Sequence, residues 1–131
     1  MSIDNLLDRV VYRVVSGPLA GRINYVQAYY HAVRENVFNI TWLEETGTIV
    51  TQTLDLENKR IFTTAAFSKG HAENHDLCKG TKMTHLEQWR DLAKIGIQTD
   101  RKIVRASGVV DNVFNDRGDV LPEIEDDWPV L

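Results

Sequence analysis

Val37-Phe38-Asn39-Ile40-Thr41-Trp42-Leu43-Glu44-Glu45-Thr46-Gly47-Thr48-Ile49-Val50 reads as a strand, a tight turn and a second strand. Side chains alternate across a strand. Phe38, Ile40, Trp42 and Glu44 therefore share one face, and Asn39, Thr41, Leu43 and Glu45 the other. The apolar face turns inward, so Glu44 follows three large apolar residues into the interior. A carboxylate there is costly unless it is paired or neutralised. Burial alone lifts a carboxyl pKa, in extreme cases by about 3–5 pH units. A carboxyl held partly protonated near neutral pH is what a general acid needs. The bland alternative is that Glu44 ends its strand and faces water beside Glu45.

Outward from this stretch the same pattern repeats. Residues 9–15 are rich in β-branched side chains and read as a strand. Ser16-Gly17-Pro18 breaks it, and Leu19-Ala20-Gly21 completes a turn of small residues. A second strand covers residues 22–33 and ends at the polar Arg34-Glu35-Asn36. After the central strand at 37–44, further strands are expected at 48–56 and 60–67, separated by Glu57-Asn58-Lys59. Short strands joined by brief turns make an antiparallel meander, not a βαβ pattern. With some strands apolar on both faces, a barrel or incomplete barrel is expected. Residues 69–83 are polar and read as a long loop. Thr84 and Glu87 match a capping box, Leu86, Trp89, Ala93 and Ile97 give one apolar face, and Gly96 stands at the C-cap. These place a single helix at about residues 85–95. A last strand at 102–107, extended as far as Phe114, returns to the sheet, and an acidic tail occupies about residues 115–131.

The totals fit one mainly β domain over residues 1–131. A hydrophobic share of 43% and a charged share of 26% are ordinary for a globular chain, and a formal charge of −4 supplies no basic face for nucleic acid. No apolar run approaches membrane-spanning length. The single cysteine, Cys78, rules out an internal disulfide and suits a reducing, cytoplasmic setting. His71 and His75 lie four apart in the polar loop without a third ligand in sequence, so no metal site is expected. No Gly-rich phosphate fingerprint is present. Arg22, just after a small-residue turn, is placed to fork onto a carboxylate or phenolate at a barrel rim, or else to sit exposed at a strand end.

Two segments resemble a known family. Val11-Tyr12-Arg13-Val14-Val15-Ser16-Gly17-Pro18-Leu19-Ala20-Gly21-Arg22 resembles the Tyr-Arg-x-x-x-Gly-x-x-x-Gly-Arg segment of phenolic acid decarboxylases, and residues 39–50 resemble that family's Trp-x-Glu-x-Thr-Gly-Thr stretch. Asn58-Lys59-Arg60 and Phe67-Ser68-Lys69 match two further landmarks in order, so the likeness spans about residues 11–114. It implies a calycin-like β-barrel, a homodimer, and cofactor-independent removal of carbon dioxide from 4-hydroxycinnamic acids to leave vinylphenols. It implies Glu44 as proton donor and Arg22 as the group orienting the substrate across a space that fits a phenyl ring. Thr48, Val50 and Ala65 match pocket-lining positions, and Tyr12, Trp42 and Phe67 complete the expected substrate-binding set. The family's leading Tyr-x-Tyr strand has no counterpart here; the chain is expected to start after it and to expose sheet edges that favour pairing. The rival reading is a calycin-type protein that binds a small aromatic or apolar ligand without turnover. A structural subunit that pairs through open strand edges is the third.

Overall fold

The computed structural model describes residues 2–6 and 9–113. Among the described residues the chain is mainly β, and the sheet does not close. In chain order the strands are β1 (Ser2–Leu6), β2 (Arg9–Arg13), β3 (Arg22–Arg34), β4 (Val37–Leu43), β5 (Ile49–Asp55) and β6 (Arg60–Phe67). Helix α1 (Lys69–Glu73), a 3-10 turn (His75–Cys78), β7 (Gly80–Thr81), helix α2 (Lys82–Ala93) and β8 (Lys102–Val109) follow. The sheet order is β1-β2-β3-β4-β5-β6-β8, each neighbour antiparallel, while β7 pairs parallel to the start of β3. This is the expected meander, an incomplete barrel with β1 and β8 as its two edges. Among the described residues no helix is long and apolar enough to cross a membrane.

Local chemistry explains the hairpins. Asn36 turns β3 into β4 with a φ of 62, a left-handed conformation that asparagine tolerates. The β4–β5 turn closes with Gly47 N–H on the Glu44 carbonyl (2.9 Å) and Glu44 N–H on the Thr48 carbonyl (2.8 Å). Gly47 has a φ of +87 there, and a Cβ on it would meet Ala93 Cβ at 3.2 Å, so this turn is pressed against α2. Val10, Tyr12, Val26, Ala28, Ile40, Trp42, Val50 and Ala65 form the core on the concave side. They come from β2 through β6, one side chain in two along each strand.

Several expectations need correction. A strand, β1, does precede β2, with Ile3 opposite Tyr12, although its sequence Ser-Ile-Asp-Asn-Leu holds no tyrosine. The stretch 69–83 is not a loop. Ser68 caps α1 by accepting the His71 N–H, and Gly70, which reads as a breaker, lets α1 lie on the Leu92 carbonyl, where a Cβ would come within 2.1 Å. α2 starts one turn earlier than the capping box suggests, because Thr81 is the N-cap and Thr84 instead donates to the Thr81 carbonyl. The start at Lys82 sets a different inner face. Lys82, Trp89 and Leu92 are buried, while Ala93 is exposed and Ile97 is 70% exposed. Lys94 is the C-cap, with Gly96 two residues beyond it at a φ of +79. β8 ends at Val109 and residues 110–113 are not strand, so the expected extension to Phe114 is not formed there; Phe114 itself and the tail at about 115–131 lie outside the described residues.

Candidate functional site

Alternation along β3 puts Arg22, Asn24, Val26 and Ala28 on the concave face, and Tyr12 on β2 stands directly opposite Asn24. Trp42 is the last inward residue of β4, and Glu44 is next but one, just past the strand end. One end of the sheet therefore gathers four polar groups around a single carboxyl. Glu44 Oε1 accepts from the Tyr12 hydroxyl (2.5 Å) and Trp42 Nε1 (2.8 Å). Its Oε2 accepts from Arg22 Nη2 (2.8 Å) and Asn24 Nδ2 (2.6 Å). Four donors fill the four acceptor positions a carboxylate offers.

Arg22 is as fully engaged. Its Nε donates to the Tyr12 oxygen (2.9 Å), its Nη1 to the Cys78 carbonyl (2.7 Å), and its guanidinium lies 3.8 Å above the Trp89 ring. Arg22 is 1% exposed, so the exposed strand-end alternative is excluded. The Arg22–Glu44 pair is a buried, charge-assisted ion pair.

Burial is the largest influence on Glu44 and pushes its pKa up, yet Arg22 and the hydrogen bonds from Tyr12, Trp42 and Arg22 outweigh it and hold the pKa below the ordinary 4.5. This corrects the expectation of a partly protonated Glu44; the resting group is a carboxylate. Burial pushes the Tyr12 phenol well above its ordinary value, against the lowering influence of Arg22 and with further help from Glu44. The pair touches directly, so no space for a phenyl ring separates guanidinium from carboxylate. A surface cleft of about 550 Å³, lined by residues including Pro18, His75, Leu77 and Lys79, includes none of these groups.

A second buried pair adjoins the first. Asn24 Nδ2 also donates to Glu45 Oε1 (2.8 Å), and Lys82 Nζ lies 2.8 Å from Glu45 Oε2 with both side chains 1% exposed. Lys82 further donates to the Tyr25 carbonyl and lies over the Tyr25 ring. Burial pulls the Lys82 pKa down, more than Glu45 raises it. Glu45 thus departs from the outward position that alternation gave it, because the chain leaves the strand at Glu44 and turns. Removing one partner of such a pair strands a buried charge. Lys82→Met is expected to cost about 3 kcal/mol in urea unfolding, with Glu45→Gln in the same chain restoring part of it.

The other expected residues are split. Val50 and Ala65 pack with Trp42 in the core. Thr48 and Phe67 instead flank His71, which the sequence raises only beside His75 as a metal-ligand pair. His71 Nδ1 lies 2.7 Å from Thr46 Oγ1 and 2.8 Å from Thr48 Oγ1, and Phe67 meets the imidazole edge-on at 4.8 Å. Burial leads in lowering the His71 pKa to about 4, so the ring is neutral. His71 Nε2 and Trp89 Nε1 are buried without hydrogen-bond partners, each leaving a cost of about 1–3 kcal/mol unrelieved. No group of three or more His, Cys, Asp or Glu among the described residues is arranged to hold a metal ion.

Sequence comparison places this geometry in a family. The profile of MoaF-like proteins matches residues 6–89. The chain belongs to the MoaF-like family. The match runs from the end of β1 to Trp89 and contains every residue of the two ion pairs as well as His71. In this MoaF-like chain β8 lies beyond the matched segment, so the family's share of the sheet is the part that carries the buried cluster. No curated protein matched the sequence.

Proposed function

We propose that this MoaF-like chain is a carboxy-lyase that removes carbon dioxide from 4-hydroxycinnamic acids without a cofactor. The supporting observation is that Arg22 and Glu44, implied as catalytic by the likeness to phenolic acid decarboxylases, form one buried 2.8 Å pair with Tyr12 and Trp42 on the same carboxylate. The balance of forces on Glu44 suggests how a resting carboxylate becomes an acid. Burial is the strongest influence, and Arg22 is the first that opposes it. A substrate carboxylate that takes Arg22 Nη2 for itself leaves Glu44 buried without its cation, and the Glu44 pKa then rises.

Protonated in this way, Glu44 gives its proton to the alkene carbon next to the substrate carboxylate. Loss of the para-hydroxyl proton to solvent sends electrons through the ring and makes the intermediate quinone-methide-like. The bond to the carboxylate then breaks, its electron pair re-forms the alkene and restores the aromatic phenolate, and carbon dioxide leaves. The phenolate regains its proton, and Glu44 is left as the resting carboxylate until the next substrate binds. One proton from solvent, taken up by Glu44 on binding, is therefore consumed per turnover. Purified protein is expected to convert 4-hydroxycinnamate to its vinylphenol and to leave plain cinnamate untouched, read by chromatography. Folded protein that turns over no hydroxycinnamate contradicts the proposal.

One observation favours a second reading, a small-aromatic binding protein without turnover. All four acceptor positions of Glu44 are filled by protein, and a ligand has to displace one donor to reach it. Heat of binding without carbon dioxide release decides for that reading. The likeness also supports a homodimer in the cytoplasm, with the exposed Ile103 and Val109 of edge strand β8 as apolar surface for a partner.

A further inference from the structure

His71 holds a buried group that the carboxy-lyase reading leaves unused. Thr48 Oγ1 accepts the Ser68 N–H (3.2 Å), so its own hydrogen is free to point at His71 Nδ1. Thr46 Oγ1 converges on the same nitrogen. On this ground we assign Nδ1 as the acceptor, which in the neutral ring puts the proton on Nε2. That N–H is buried, in a residue 2% exposed, and it has no acceptor. A donor set up by two hydroxyls on one side and left empty on the other is fitted to receive something.

Its position narrows what that is. The threonines that pin His71 belong to the turn whose first residue is Glu44, closed by the Glu44–Thr48 and Gly47–Glu44 backbone bonds. Cys78 ties His71 to Arg22: Arg22 Nη1 donates to the Cys78 carbonyl (2.7 Å), and Cys78 Sγ lies 3.8 Å from the His71 carbonyl oxygen. The second empty donor, Trp89 Nε1, belongs to the ring lying under the Arg22 guanidinium, on the helix against which α1 packs. Two unspent N–H groups on elements packed around one guanidinium call for a ligand with more than one acceptor oxygen.

We propose that His71 Nε2–H is a second anchor for the carboxylate of the substrate, donating to one oxygen while Arg22 takes the other. The role rests on the proposed site but not on turnover, because it concerns binding of the acid. It makes the site selective for carboxylates over neutral aromatic molecules of the same shape. His71 stays neutral throughout and moves no proton.

The test compares binding of 4-hydroxycinnamate with binding of 4-vinylphenol, which lacks the carboxylate, by calorimetry on the full chain. Where turnover is fast, the saturated 3-(4-hydroxyphenyl)propanoate replaces the acid. His71→Asn keeps an amide near the Nδ1 position and loses the Nε2 donor. It is expected to weaken the acid about tenfold and to leave vinylphenol unchanged. His71→Gln, with an amide N–H near the Nε2 position, is expected to recover part of the loss. The wild-type imidazole nitrogen signals give a reading that needs no variant. Nε2 is expected to shift on adding the acid and not on adding vinylphenol. Equal losses for both ligands, an unchanged acid affinity, a silent Nε2 signal, or no binding of the acid to wild-type protein overturns the assignment. Acid binding through Nε2 without product formation leaves this anchor standing and removes only the lyase.

Discussion

Arg22→Met is expected to reverse the pH dependence of stability. In the wild-type chain the folded pKa of Glu44 lies below the ordinary 4.5. Its stabilising contribution is therefore present above 4.5 and is lost as pH falls through the folded value. Methionine removes the cation while leaving the burial. The folded pKa then exceeds that of the unfolded chain, the native state holds the extra proton, and stability is lost as pH rises between the two values. At neutral pH the stranded carboxylate is expected to cost about 3–5 kcal/mol. Urea midpoints at several pH values from about 4 to 7 check this: wild type climbs with pH over the acid part of the range, whereas the variant declines. Parallel curves mean that Arg22 does not set the charge state of Glu44.

Glu44→Gln carries the largest expected effect on activity. The amide cannot deliver a proton, so vinylphenol formation is expected to fall by about 10²–10⁴ or to vanish. It also leaves Arg22 without its counter-charge, so a stability loss of about 3–5 kcal/mol accompanies the change and activity has to be read below the lowered midpoint. Tyr12→Phe is the control. It removes one of four donors and leaves the ion pair, so it is expected to reduce stability by only about 1–3 kcal/mol. A Glu44→Gln variant that is folded and fully active contradicts the assigned role.

The sheet was legible because its signals are local. Alternation in residues 37–43 and turn residues at Asn36, Gly47 and Lys59 decide strand and hairpin without reference to distant contacts. Glu44 was legible as a buried carboxyl by the same rule, and Tyr12, Arg22 and Trp42 do meet it. The charge state of Glu44 was not legible. It depends on donors from three strands, and alternation counts none of them. Glu45 and Lys82 were missed because one leaves the strand in a turn and the other lies on a helix whose cap, Thr81, precedes the apparent one at Thr84. His71 looked like part of a solvated loop because the polar run 69–83 hides a five-residue helix whose Gly70 serves close packing. Asn24 carried a usable signal, since it sits two residues after Arg22 on the same inward face.

The most direct measurement is isotope-edited infrared spectroscopy of the Glu44 carboxyl at neutral pH, assigned through Glu44→Gln, without ligand and with 3-(4-hydroxyphenyl)propanoate or 4-vinylphenol bound. The expected result is a carboxylate band in the free protein, a neutral carboxyl band with the acid, and no change with vinylphenol. A neutral carboxyl in the free protein, or a carboxylate band unmoved by the bound acid, contradicts the substrate-driven protonation on which the proposed reaction depends.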